Sequence, residues 1–258
     1  MKTLIMSSSF RGFTTDESGN KIPCVIDNEN GFLDTLKKHL TKRKCMVIIS
    51  GNPKKIHSKD PNEITRQYFS LSGLAFDEYI YVNDLNKHSI KEYIAKADCI
   101  NLFGGHLPTG NAFINELNLR ELVKDFEGVL IGSSGGAMNM ADVVYCKPEA
   151  EGEFADKSFN RYLKGLGLTN INIIPHYYLI KDKTLDGGRI IEDVIAPDTY
   201  KTPMIVLPDG SYIVQQGNIQ TLFGEAFLFK NGKLTQICNN NDNIELKSTR
   251  ICERFEMF

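Results

Sequence analysis

Gly132-Ser133-Ser134-Gly135-Gly136 puts a serine at the centre of a G-x-S-x-G pentapeptide, between the apolar run Val129-Leu130-Ile131 and the segment Ala137-Met138-Asn139-Met140-Ala141. A serine hydroxyl becomes a nucleophile when a base takes its proton and nearby donors receive the charge that forms on the attacked carbonyl. A sharp strand-to-helix turn meets part of this need. It lifts the side chain out of the sheet, aims the first helical N–H groups at the reacting carbonyl, and demands small residues on both sides. Ser134 is therefore the candidate nucleophile. A tight Gly/Ser connection without chemistry would read the same over five residues, so the partner residues decide between the two.

Five histidines could supply the base. His176 follows Ile171-Asn172-Ile173-Ile174-Pro175, which reads as a strand, and α/β enzymes place their chemistry at strand ends. It is the candidate general base. His39, His57 and His88 lie in polar surroundings and read as surface residues. His106 follows Gly104-Gly105 at another strand end, where paired glycines let backbone N–H groups approach a substrate oxygen. The Gly105 and Gly135 N–H groups are the expected oxyanion donors, and His106 an expected substrate-pocket residue. An orienting carboxylate is sought in Pro148-Glu149-Ala150-Glu151-Gly152-Glu153, which offers three.

The elements that must hold these residues alternate. Thr3-Leu4-Ile5-Met6, Cys45-Met46-Val47-Ile48-Ile49, Tyr79-Ile80-Tyr81-Val82, Cys99-Ile100-Asn101-Leu102-Phe103 and Val129-Leu130-Ile131 read as buried strands. Helical periodicity falls between them at residues 31–42, 62–74, 89–97 and 112–124. Such alternation predicts a parallel sheet covered on both faces. Beyond residue 150, Pro208-Asp209-Gly210-Ser211 and Lys230-Asn231-Gly232-Lys233 are turn signals between apolar runs, predicting hairpins in an antiparallel C-terminal extension. Residues 1–258 read as one α/β domain.

At 41% hydrophobic and 24% charged residues the composition is that of an ordinary globular protein, and no apolar run approaches a membrane span. The N-terminus has no secretory signal pattern, so a cytoplasmic location is expected. A net charge of -2 with interspersed lysines and arginines leaves no footprint for nucleic acid. Six scattered cysteines form no C-x-x-C pair, so neither a metal nor a redox cofactor is expected. Cys146, near the site in sequence, has no elbow around it.

With Gly104-Gly105, the Gly132–Gly136 elbow and Pro175-His176 in place, the chain resembles the peptidase E family. These are serine dipeptidases related to cyanophycinase, with a class I glutamine amidotransferase-like fold. The resemblance spans nearly the whole chain, and Leu207-Pro208-Asp209-Gly210 matches the family's later L-P-E-G turn; Gly135 stands where alanine is usual. It implies a three-layer α/β/α sandwich with Ser134 as nucleophile, His176 as base, and Gly105 and Gly135 as oxyanion donors. A gapless alignment from the elbow implies Glu149 as the acid. The cyanophycinase arrangement would use Glu153, with Glu151 next. Arg189 occurs in the region where the family reads an aspartyl side chain, and is the second expected substrate contact.

The implied activity is hydrolysis of short peptides through an acyl-enzyme, needing no cofactor. The expected partner is a short peptide, with no nucleic acid or membrane and with a homodimer allowed. An amidotransferase-like relative is the alternative, although that chemistry uses a cysteine at the elbow. A non-catalytic ligand-binding relative is the other alternative, since a fold does not fix an activity.

Overall fold

The computed structural model describes residues 2–54 and 62–246. His57 lies outside the described residues. Five parallel strands form the core of the main sheet, in the spatial order Thr3–Ser7, Val129–Ser133, Cys99–Leu102, Cys45–Ile49, Glu78–Val82. Each falls on one of the predicted apolar runs. Four of these strands are buried along nearly their whole length because both faces of the sheet are covered, whereas Glu78–Val82, at the sheet edge, is only partly buried, with Ile80 and Tyr81 half-buried. The sheet continues beyond Thr3–Ser7 through the antiparallel strands Tyr212–Gln216, Ile219–Phe223 and Asn243–Glu245.

Alternate residues of the parallel strands feed two apolar layers. Leu4, Met6, Val47, Ile49, Ile100 and Leu102 pack with Leu107, Phe113 and Ile114 of the helix Leu107–Glu116. Ile5, Met46, Ile48 and Ile131 pack on the other face with Phe32 and Leu36 of helix Phe32–His39 and with Phe69 of helix Glu63–Leu71. The arrangement is the expected α/β/α sandwich. Leu36 is fully buried, so Leu36→Ala would cost about 2–5 kcal/mol.

Two expectations need correction. The helix expected at residues 112–124 begins five residues earlier, at Leu107, because Pro108 has no N–H to lose in a first turn and its fixed φ suits that position. It stops at Glu116, and a short helix Leu119–Leu122 follows Asn118, whose φ of 49° lies in the left-handed region. The turn at Pro208–Ser211 does not close a hairpin either. Met204–Val206 belongs to a second, four-stranded sheet with Ile173–Ile174, Ala226–Lys230 and Lys233–Cys238, whereas Tyr212–Gln216 belongs to the main sheet. Leu207–Ser211 is therefore a crossing between sheets. By contrast Asn231-Gly232 is a hairpin turn between Ala226–Lys230 and Lys233–Cys238, both residues having positive φ as a type I′ turn requires.

Candidate active site

Ser134 follows Val129–Ser133 and precedes the short helix Gly135–Met138, with φ 52° and ψ -127°. A non-glycine residue in that conformation is strained and persists only where its surroundings hold it. Here the Ser134 N–H donates to the Ser7 carbonyl at 3.0 Å, tying the elbow to the neighbouring strand. A β-carbon at Gly132 would stand 2.7 Å from Ala137, and one at Gly136 2.0 Å from the Leu102 carbonyl oxygen. The turn is thus closed from inside its own helix and from the adjacent strand.

The Gly104-Gly105 loop packs directly on this elbow. A β-carbon at Gly104 would lie 3.0 Å from Ser134 Cβ, and one at Gly135 would lie 3.1 Å from the Gly105 carbonyl oxygen and 3.8 Å from its nitrogen. Gly105 has φ 149°, a conformation that side chains avoid. Beneath it, a β-carbon at Gly51 would fall 2.1 Å from the Gly104 carbonyl oxygen. The backbones of Gly51, Gly104–Gly105 and Gly135 therefore meet beside Ser134.

His176 follows the strand Ile173–Ile174 and Pro175, and adopts φ 59°. Its backbone N–H donates to Ser8 Oγ at 2.8 Å. Its Nδ1 lies 2.7 Å from Asp209 Oδ1, the carboxylate carried by the crossing between sheets. Ser8 Oγ donates to the same Oδ1 at 2.6 Å, so one fully buried hydroxyl joins the histidine backbone to the acid. The Arg11 guanidinium donates to the Asp209 carbonyl at 2.8 Å and pairs with Asp27 and Glu29. Burial pushes the Asp209 carboxyl up, but the hydrogen bonds from His176 and Ser8, with the charges of His176 and Arg11, outweigh it and hold the carboxyl below its ordinary range.

Ser134, His176, Ser8, Gly104 and Gly105 line one cavity of about 700 Å³. Among its other walls are Phe10, Tyr68, Tyr81 and Phe103, with Phe13 and Lys21 from the hairpin Phe13–Thr15/Lys21–Pro23. No direct hydrogen bond joins Ser134 to His176. Catalytic hydrogen bonds often tighten only when substrate is present.

The acidic segment goes elsewhere. Glu149, expected to orient the histidine, accepts from Lys147 Nζ at 2.7 Å and from the Leu107 N–H at 3.4 Å. Glu153 holds His106 Nε2 at 2.6 Å, and Glu151 is exposed. None of the three meets His176, because the segment runs beside the loop that opens helix Leu107–Glu116, while the sheet crossing delivers Asp209. His106 has both ring nitrogens occupied, Nδ1 by Thr109 Oγ1 at 2.8 Å, and it is not among the residues lining the Ser134 cavity. Arg189 is likewise absent from that lining. It forks Asp193 four residues on, at 2.8 and 3.2 Å, with its side chain 59% exposed. Cys146 is buried, and burial together with Glu149 and Glu153 pushes its thiol up to about 12, far from a thiolate nucleophile.

Sequence reasoning passed over Asp209, Ser8 and Gly51. A signal for Asp209 existed in Leu207-Pro208-Asp209-Gly210, but a turn sequence alone gives its acid no partner. Among the described residues, no group of three or more His, Cys, Asp or Glu side chains is arranged to hold a metal ion. No helix among them is long and apolar enough to cross a membrane.

The chain is 14% identical to a crystal structure of a "Putative Peptidase E Protein" from Listeria monocytogenes EGD-e, with 92% of this chain and 98% of that one covered and a TM-score of 0.49. No curated protein matches it. The family model of peptidase family S51 matches residues 58–222, which contain the elbow, the Gly-Gly loop, His176 and Asp209. The chain belongs to peptidase family S51, a family of serine-type peptidase hydrolases.

Proposed function

We propose that the protein hydrolyses short peptides through an acyl-enzyme on Ser134, with His176 as general base and Asp209 as the acid that orients it. The observation carrying this reading is the 2.7 Å contact between His176 Nδ1 and Asp209 Oδ1, made by a histidine that shares a cavity with a strained elbow serine. An ionised carboxylate only accepts hydrogen bonds, so its contact favours the tautomer with the proton on Nδ1. The lone pair is then on Nε2, where it can take the Ser134 proton as Oγ attacks the scissile carbonyl. The developing oxyanion is held by the Gly105 and Gly135 N–H groups, whose backbones meet beside Ser134. The imidazolium, stabilised by Asp209, protonates the leaving amine. Water activated by the same histidine then clears the ester.

A fluorophosphonate probe and a library of dipeptides and tripeptides test the proposal together. The expected result is a covalent adduct on Ser134 and turnover of at least one peptide class, both lost in Ser134→Ala. A folded protein that neither labels nor turns over any peptide would refute the proposal and favour a ligand-binding relative.

A further inference from the structure

The acidic segment that does not reach His176 does reach the Gly104–Thr109 loop. Glu153 is the hub of this contact. Its Oε2 accepts from the N–H groups of Glu149 at 2.7 Å and Ala150 at 2.9 Å, which fixes the carboxylate to its own loop. Its Oε1 meets His106 Nε2 at 2.6 Å, and the other ring nitrogen of His106 meets Thr109 Oγ1 at 2.8 Å. The imidazole is thereby held at both ends, immediately after Gly105.

The segment is anchored on its far side as well. Asp186, in the tight connection between Thr184–Leu185 and Gly188–Arg189, accepts from the Gly152 N–H at 2.9 Å and the Phe154 N–H at 3.1 Å. The Phe154 ring lies where a Gly188 β-carbon would stand, 2.1 Å from its nearest atom. Glu149 adds a weaker second contact, accepting the Leu107 N–H at 3.4 Å while paired with the buried Lys147. A continuous strut thus runs from the Asp186 turn through residues 149–154 to His106.

We infer that Glu153 and His106 are positioning residues that fix where the Gly105 N–H sits relative to Ser134. This rests on the proposed role of Gly105 as an oxyanion donor. The loop needs such a brace because paired glycines restrain their own backbone least of all residues. Gly105 also holds φ 149° between the Gly51 backbone and the elbow. Oxyanion donors act by being fixed in advance, and a misplacement near 1 Å costs about a hundredfold in rate.

The test combines amide hydrogen exchange with kinetics on Glu153→Ala and Glu153→Gln. In E153A, exchange of the Leu107 and Gly110 N–H groups, held by Glu149 Oε2 and the His106 carbonyl, should quicken by about tenfold or more as the loop loosens. The kcat should fall by about tenfold to a hundredfold with KM nearly unchanged, and a peptide aldehyde, whose hemiacetal oxygen occupies the oxyanion hole, should weaken by the same factor. E153Q can accept the two amides and donate to His106 Nε2, so it should restore most of both losses. His106→Ala should reproduce E153A, which covers the case in which E153A is poorly folded. Wild-type exchange at Leu107 and Gly110 in both E153A and H106A would overturn the inference. So would a loss confined to KM, or an E153Q as impaired as E153A. Exchange reads the strut whether or not peptides are cleaved, so an inactive wild type would refute the proposed function while the strut is still decided.

Discussion

Replacing Asp209 by asparagine keeps the shape of the side chain and removes the charge that faces His176. In the proposed mechanism the imidazole becomes positively charged as Ser134 attacks, and a carboxylate oxygen 2.7 Å from Nδ1 stabilises that charge. A unit charge at this separation is worth about 6 kcal/mol at an effective dielectric near 20. Both side chains are about a quarter exposed, at 28% and 27%, so water screens part of the interaction. The expected loss is about 10³ to 10⁴ in kcat, or about 4 to 5.5 kcal/mol. Glu149→Gln, which keeps an acceptor for the Leu107 N–H, should lose less than about tenfold. The assay is kcat and KM on the best peptide found by library profiling, with circular dichroism to establish folding. D209N also has a stability signature. The folded carboxyl titrates below the ordinary aspartate range, so its contribution to stability is complete above that range and is lost as pH falls through the lower folded pKa. D209N should remove that acid-side slope from the unfolding free energy. A folded D209N within tenfold of wild type, or an E149Q that loses the larger factor, would refute Asp209 as the orienting acid.

Ser134→Gly should be more stable than Ser134→Ala by about 1 kcal/mol in urea unfolding, because glycine relieves the positive φ, and both should lack peptidase activity. Equal stabilities would mean that the elbow stores no strain. Ser8→Ala removes a fully buried hydroxyl and leaves the His176 N–H and Asp209 Oδ1, both in half-buried places, each short of one partner. It should lose about 1–3 kcal/mol of stability and about tenfold or more in kcat, and wild-type values of both would remove Ser8 from the site's framework. Arg189→Ala should leave kcat/KM for aspartyl peptides within about twofold, since the guanidinium is exposed and spent on Asp193; a selective loss on those peptides would restore Arg189 to substrate binding.

Residues that act through local geometry were legible in the chain itself. G-x-S-x-G after an apolar β-branched run specifies an elbow, because only small residues survive the contacts that Gly132 and Gly136 make there. Gly104-Gly105 and Pro175-His176 were visible for the same reason, each being a strand end with its own backbone demand. The parallel strands were legible because burial on both faces leaves an unbroken apolar run. The proposed orienting acid was decided by tertiary structure. Asp209 is 33 residues beyond His176 and reaches it only because Leu207–Ser211 crosses from one sheet to another, a path that a turn sequence does not encode. Glu149 and Glu153 lie closer to the elbow in sequence, yet the start of helix Leu107–Glu116 draws them to His106 and Leu107 instead. Ser8 shows the same limit, since a serine at the end of the first strand acquires its partners from positions 176 and 209, which only folding brings to it.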